Sequence, residues 1–281
     1  MNSSRTVYIV ISCDTDPDRA GLLDGVPHGQ LAWRGMTEGI PAVKELLRGL
    51  TDSTGREPTF TWLLRADEQV RELQGEYGWI VRTHSPLLRS LQQSGDELGV
   101  TVDLSPLPGY RTLTPHPPTR SENLFDWYSS PRAPFRASRA DYRRPIRGGE
   151  SSYRLLEVPS FVSQSIPWAL VSGLQLARKT GQIGQLWNAI RRPTYCINVT
   201  ARPVFFAPLV TQLRRALRRP GNGPLVFSTQ FHADELLPNR TRLYDFQGVR
   251  TNLTSLVGAC DEARTPVQFV QARQIYALMS D

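Results

Sequence analysis

The chain is poor in cysteine and histidine, and it has no long apolar run. Its three cysteines are too few and too widely spaced for a disulfide framework or a zinc knuckle, so we interpret them as buried thiols. No apolar stretch approaches the roughly eighteen residues that a membrane span needs. The first apolar run, Val7–Cys13, is short and ends in acids, unlike a signal peptide. We therefore expect a cytoplasmic protein with no membrane span.

Lysine is also scarce, so arginine carries nearly all of the positive charge in a chain whose formal net charge is +7. Many of the arginines lie in one region, at Arg132, Arg136, Arg139, Arg143, Arg144, Arg147 and Arg154. No nucleic-acid-binding motif accompanies them, and we expect no nucleic acid partner. The forked guanidinium group equally suits an acidic sugar or a nucleotide diphosphate. Nothing in the sequence indicates an oligomeric state.

The apolar pattern predicts strands and helices that alternate over the first hundred residues. It favours buried strands at Val7–Cys13, Thr59–Leu64 and Val100–Leu104. Between them it predicts one helix with Thr37 as its N-cap and another that begins near Ser85 and ends around Gly95. This alternation is typical of parallel βα units.

The pattern is irregular from Ser105 to Gly149, where proline and arginine are frequent. Long irregular segments in compact domains are commonly functional. Regular patterns return with a predicted strand at Leu155–Val158, a loosely helical stretch and a helix, the strand "PLVFSTQFH", a further helix, and a final short strand and helix. No repeat or linker divides the chain, so we expect a single domain over residues 1–281.

Polar residues follow or end the predicted strands at points that are far apart in the sequence. In a barrel of parallel βα units, residues at the C-terminal ends of the strands meet at one face and commonly carry catalysis. The candidates are Asp14 and Asp16 after the first strand, Thr101 and Asp103 in the third, Arg136 in the arginine-rich segment, and His232 at the end of "PLVFSTQFH".

Six segments occur in the order that one family shows. They are "SCDTD", "WRGMTEGIPAVKELL" followed by "PTFTWLL", "SGDELG", "PFRASRADY", "LLEVPSFV" and "FSTQFHADEL". In this order the chain resembles the polysaccharide deacetylases, the fourth carbohydrate esterase family. The resemblance covers nearly the whole chain. It implies a distorted (β/α)7-type barrel related to the TIM barrel.

The resemblance also implies roles for individual residues. Asp14 would be the base that activates water, Asp16 a ligand of a divalent metal, and His232 the acid that protonates the leaving amine. Arg136 would orient Asp14 through a charge-assisted hydrogen bond. The implied substrate is an N-acetylated sugar or sugar nucleotide in surface-polysaccharide synthesis, such as that of lipopolysaccharide. We place four further residues at the substrate, namely Trp33, Arg34, Arg139 and Glu157.

The metal site departs from the family pattern. Two histidines should follow the segment "SGDELG", but Thr101 and either Asp103 or Ser105 stand at those positions. No pair among the four histidines, His28, His84, His116 and His232, has the required spacing. A set of oxygen ligands from Asp16, Asp103 and Thr101 would suit a harder ion such as magnesium. The alternatives are therefore a divalent metal other than histidine-bound zinc, or no metal.

Three other functions compete with a deacetylase. A phosphatase of the haloacid dehalogenase type needs Thr or Val two residues past its second aspartate, where this chain has Asp18. In nucleotide-sugar glycosyltransferases the Asp-x-Asp motif typically follows a nucleotide-binding half, and Asp14 comes too early for that. The third alternative is a catalytically inactive barrel that binds a glycan or a protein partner.

Overall fold

The computed structural model describes residues 5–18, 32–66, 70–71, 74–101, 133–140, 144–180, 183–191, 193–221, 223–237 and 244–279. The strands are β1 (Val7–Thr15), β2 (Thr61–Arg65), β3 (Glu97–Thr101), β4 (Phe135–Ser138), β5 (Ser152–Glu157), β6 (Leu225–His232) and β7 (Val267–Val270). The α-helices are α1 (Ile40–Leu46), α2 (Trp79–Thr83), α3 (Ser85–Gln93), α4 (Ile166–Thr180), α5 (Gly184–Arg191), α6 (Pro203–Leu217), α7 (Gly248–Glu262) and α8 (Ala272–Leu278). A π-helix, Gly35–Gly39, precedes α1, and a 3-10 helix, Ala233–Leu236, follows β6.

Five strands form one parallel sheet in the order β3–β2–β1–β6, with β7 also paired to β1. Strand β6 accompanies β1 from the pair Val7–Leu225 to the pair Asp14–His232. The opposite edge of β1 is shared, because β7 pairs with its first half and β2 with its second half. The predicted α/β class with a parallel central sheet is therefore confirmed. Closure into a seven-stranded barrel stays a prediction.

Both faces of β1 are covered, which explains its continuous apolar sequence. One face carries Val7, Ile9, Ile11 and Cys13, all with no exposed surface, in a large cluster with residues of α1, α6 and α7. The opposite face carries Val10, which packs in a smaller cluster with Val226, Val270, Ile275, Leu156 and Val158. The sheet thus lies between a helical layer and a second layer that includes β5 and α8.

The helical segment after β1 begins earlier than the sequence predicts. Thr37 is not its N-cap, because the π-helix starts at Gly35 and already contains Thr37. Instead, the Asp18 carboxylate accepts hydrogen bonds from the backbone N–H groups of Arg34 and Gly35, at 3.3 and 3.0 Å. The prediction was wrong because the group that caps this end comes from a distant part of the chain.

Strands β4 and β5 form a separate antiparallel pair. The strand expected at Leu155–Val158 is observed at Ser152–Glu157, but it pairs with the arginine-rich segment and not within the parallel sheet. Glu150 braces this hairpin, since its carboxylate accepts hydrogen bonds from Arg144 at 2.6 and 2.7 Å and from the Ser138 hydroxyl at 2.9 Å. The hydrogen bonds from Arg144 lower the pKa of Glu150 to about 2.

Asp96, in the segment "SGDELG", is a buried structural acid. Its carboxylate accepts hydrogen bonds from Lys44 Nζ at 3.0 Å, from the Phe60 backbone at 3.1 Å and from Trp62 Nε1 at 2.9 Å. Asp96 therefore joins α1, β2 and the turn before β3.

No helix in the described part of the chain is long and apolar enough to cross a membrane.

Candidate active site

Three neighbouring strands, β2, β1 and β6, bring charged side chains to one edge of the sheet. Asp14 lies near the end of β1 and is the register partner of His232 on β6. Arg65 is the last residue of β2, and Asp16 follows β1 directly. Because parallel strands end at the same edge and paired residues point to the same face, these side chains cluster.

Asp16 is at the centre of the cluster. Its Oδ1 accepts a hydrogen bond from Arg65 Nη1 at 3.1 Å, and its Oδ2 lies 3.0 Å from His232 Nδ1. The exposed fractions of the three side chains are 19% for Asp16, 6% for Arg65 and 29% for His232. The cluster is therefore largely enclosed, with the imidazole as its most accessible member.

The environment favours the ionised form of Asp16. Burial alone would raise the pKa of Asp16, but the hydrogen bond to His232 and the charge of Arg65 lower it overall. An ionised carboxylate can only accept, so Nδ1 of His232 is the donor. The Nε2 atom of the imidazole is then the atom that can exchange a proton with a substrate.

Asp14 lies beside His232 on the same face of the sheet. Its side chain is half-buried, and adjacent parallel strands are about 4.8 Å apart. The predicted base and the predicted acid are thus neighbours. Cys13 points to the opposite face, and burial raises the pKa of its thiol well above the usual range, so it is no nucleophile.

Glu235 anchors the segment that follows His232 in the chain. It lies in the 3-10 helix, is 8% exposed, and accepts hydrogen bonds from Asn198 at 2.9 and 3.0 Å and from the Thr200 hydroxyl. Sequence reasoning missed both Glu235 and Arg65. The signal for Arg65 is the stretch "TWLLR", where an arginine ends a buried strand and needs a partner.

Two residues that we expected at the substrate make other contacts in the structure. Trp33 is only 6% exposed and packs against Trp79, with the ring centroids 5.2 Å apart. The guanidinium group of Arg34 forms an exposed ion pair with Glu38 at 3.0 Å. The structure therefore places Trp33 in the core and Arg34 in a surface pair, and a substrate contact by either residue stays a prediction.

The other predicted residues are on the β4–β5 hairpin. Arg136 lies over the ring of Tyr276, 4.8 Å from its centroid, and donates to the Tyr276 hydroxyl at 3.2 Å. Arg139 lies over the Tyr153 ring at 5.3 Å. Glu157 is half-buried at the end of β5. Arg136 therefore contacts α8, and the roles predicted for Arg136, Arg139 and Glu157 stay predictions.

The described residues do not fit a divalent metal. Thr101 is the register partner of Arg65, but its side chain and all of Asp103 lie outside the described residues. Within the described part, no three His, Cys, Asp or Glu side chains are grouped so that they could hold a metal ion. The ion pair with Arg65 is a direct observation against a metal at Asp16, because the buried guanidinium group already neutralises this carboxylate. The predicted metal set of Asp16, Asp103 and Thr101 stays untested as a whole.

Comparisons with known proteins support the fold. No family model and no curated protein matches this sequence. The structure is similar to the crystal structure of a protein from Parabacteroides distasonis that is provisionally assigned as a glycoside hydrolase/deacetylase. The TM-score is 0.53 and the identity is 13%, over 99% of this chain and 71% of the other. At this identity the similarity shows a deacetylase-like fold and nothing finer.

Proposed function

We propose that the protein is a deacetylase-like hydrolase, a divergent relative of the polysaccharide deacetylases, that removes an N-acetyl or related amide group from a sugar. The observation that carries the proposal is the meeting of Asp14, Asp16 and His232 at the C-terminal edge of the parallel sheet. The fold of the structural neighbour supports it.

Each residue has a step in the reaction. The Asp14 carboxylate accepts a proton from the water molecule that attacks the amide carbonyl carbon. When the carbon–nitrogen bond breaks, His232 donates a proton from Nε2 to the leaving amine. Asp16 holds Nδ1 of His232, fixes the orientation of the imidazole and stabilises its protonated form, as the aspartate does in other Asp–His pairs.

The motif order and the arginines of the β4–β5 hairpin support the substrate class that we propose. A sugar of a surface polysaccharide such as lipopolysaccharide, or a sugar nucleotide, would lie against the enclosed edge formed by β1, β2 and β6. Arg136, Arg139 and Glu157 on the β4–β5 hairpin are candidates for contact with its polar groups. The motif order supports a role for this reaction in the synthesis of surface polysaccharides.

Acetate release tests the proposal. The purified protein, with and without divalent ions, should release acetate from N-acetylated sugars and sugar nucleotides. Asp14→Asn should reduce the rate by about a hundredfold or more, because the base is lost. Asp261→Asn, which changes an exposed acid on α7, is the matched control and should keep full activity. No acetate under any condition, or an active Asp14→Asn variant, would contradict the proposal.

One observation favours a second candidate, an inactive barrel that binds a glycan. The Asp16 carboxylate is engaged by Arg65, and the family's metal histidines are absent from the sequence. Saturable binding of an N-acetylated glycan without any acetate release would support this function over hydrolysis.

A further inference from the structure

Arg65 places a permanent positive charge in the candidate site. It ends β2 with a side chain that is 6% exposed, and its Nη1 lies 3.1 Å from Asp16 Oδ1. Arginine does not lose its proton at any pH that a protein tolerates. A buried guanidinium also requires a carboxylate partner, so the pair Arg65–Asp16 is a fixed part of the fold.

This pair leaves little room for a second cation. One oxygen of Asp16 bonds Arg65, and the other bonds His232. A divalent ion on either oxygen would lie within a few ångströms of the guanidinium, where like charges repel strongly in a partly buried setting. The ion would also compete with the hydrogen bond that orients the imidazole.

We propose that Arg65 is the resident cation of this site, so that the site works without a divalent metal. The catalytic part of this inference rests on the proposed function, whereas the contacts of Arg65 with Asp16 do not depend on that function. Arg65 is a positioning residue: it holds Asp16, and Asp16 in turn holds His232. The charge balance that a metal provides in other deacetylases comes here from the chain itself.

Metal binding tests the proposal without any assay of activity. The protein is treated with a chelator and titrated with Mg²⁺, Mn²⁺ or Zn²⁺ in a calorimeter, with Asp16→Asn in parallel. We expect no stoichiometric binding that depends on Asp16, and no rise of the melting temperature with added ion. One ion bound per wild-type chain and lost in Asp16→Asn would overturn the proposal.

Chemical rescue tests the role of the charge. Arg65→Ala should lower acetate release by about a hundredfold. Added guanidinium, far below denaturing concentrations, should restore part of it, whereas urea, which is neutral and of similar shape, should not. Arg214→Ala, which removes a guanidinium from an exposed pair with Glu262, is the matched control. Full activity of Arg65→Ala, or equal rescue by urea, would overturn the proposal.

The metal titration and the acetate-release assay test the metal-free site and the proposed function separately. If the wild-type protein releases no acetate, the proposed function fails, and the metal titration still decides the role of Arg65. If Arg65→Ala does not fold, the titration of the wild-type protein decides alone. If a chelator abolishes acetate release and a divalent ion restores it, the proposed hydrolase function stands and the proposal of a metal-free site is overturned.

A separate surface, formed by α4 and α5, has an unusual composition. Large apolar side chains are exposed on both helices. On α5 and just before it, Ile183, Trp187 and Ile190 are 76, 62 and 47% exposed and follow helical spacing along one face. On α4 the exposed apolar residues are Ile166, Val171 and Leu174.

The sequence segment that contains α4 and α5 carries charges of one sign. Between Glu157 and Asp234 the sequence has no acidic residue at all. The same stretch has nine basic residues: Arg178, Lys179, Arg191, Arg192, Arg202, Arg214, Arg215, Arg218 and Arg219. Arg178 and Arg191 are exposed on α4 and α5 themselves. Apolar residues with an exposed tryptophan and flanking cations are typical of helices that lie in the headgroup region of anionic membranes.

We infer that the α4–α5 surface binds the face of an anionic lipid bilayer. Co-sedimentation tests it, with phosphatidylcholine vesicles that do or do not contain phosphatidylglycerol. We expect binding to the anionic vesicles alone, weakened by salt. The triple change Ile183→Ser, Trp187→Ser and Ile190→Ser should reduce it at least tenfold. Ile146→Ser, an exposed apolar residue outside this surface, is the control.

Two results would overturn this inference. One is the absence of binding to anionic vesicles, and the other is unchanged binding by the triple variant. Self-association that the triple variant abolishes, without vesicle binding, would show that the surface contacts protein instead.

Discussion

Several enclosed carboxylates near the sheet accept hydrogen bonds from segments that are distant in the sequence. Asp96 bonds groups from α1 and β2, Asp16 bonds residues at the ends of β2 and β6, and Glu235 bonds the segment before α6. An unpaired charge in such places would be costly, so each acid fixes the relative positions of the elements that it joins. The side chain of His232 bonds Asp16, and the 3-10 helix that carries Glu235 follows His232 directly in the chain. Asp16 therefore orients the candidate acid, and Glu235 anchors the backbone segment that follows it.

At the scale of elements, the position of β6 depends on a close backbone contact. A Cβ atom on Gly35 would collide with the backbone of Ala233, and one on Gly39 would lie 2.7 Å from the Leu236 side chain. The π-helix and the 3-10 helix can approach this closely only because both positions lack a side chain. Since the 3-10 helix begins directly after His232, this contact also sets the end of β6.

Gly35→Ala should therefore impair both stability and the site. The added methyl group meets backbone atoms, which cannot rotate away, so the two helices must separate. We expect a loss of about 1–3 kcal/mol in the free energy of unfolding. We also expect the rate of acetate release to fall by more than the smaller folded fraction explains. Denaturant unfolding and acetate release measure the two effects. Gly184→Ala, where the Cβ meets nothing within 4 Å, is the control and should change neither.

For the whole molecule, the sequence predicts what depends on local pattern. The strand periodicity indicates the parallel sheet, and the meeting of Asp14 with His232 follows because parallel strands end at one edge. The pairing of β4 with β5 and the Asp18 cap could not be predicted, because both depend on contacts between distant segments. The contact of Arg65 with Asp16 could not be predicted for the same reason. The residue type of Arg65 was visible in the strand, but its partner could be identified only once the fold had placed β1 beside β2.

The stability of the protein at acid pH depends on a long-range contact between Asp52 and β7. Asp52 accepts hydrogen bonds from Thr54, from Arg56 and from the backbone of Phe269 on β7, the last at 2.9 Å. Burial alone would raise its pKa, but these hydrogen bonds lower it overall. A carboxyl group whose pKa is lower in the folded state stabilises the fold above its unfolded pKa of about 3.9. That contribution is lost as the pH falls through the folded value.

Asp52→Asn should therefore destabilise the protein at pH 7 by on the order of 1–3 kcal/mol, because charge-assisted hydrogen bonds to the turn and to β7 are lost. The difference between the variant and the wild-type protein should shrink as the pH falls through the unfolded value of about 3.9 toward the lower folded value. Denaturant titrations over this pH range measure both free energies. A difference that stays constant with pH would show that the effect of the variant comes from packing and not from the charge of Asp52.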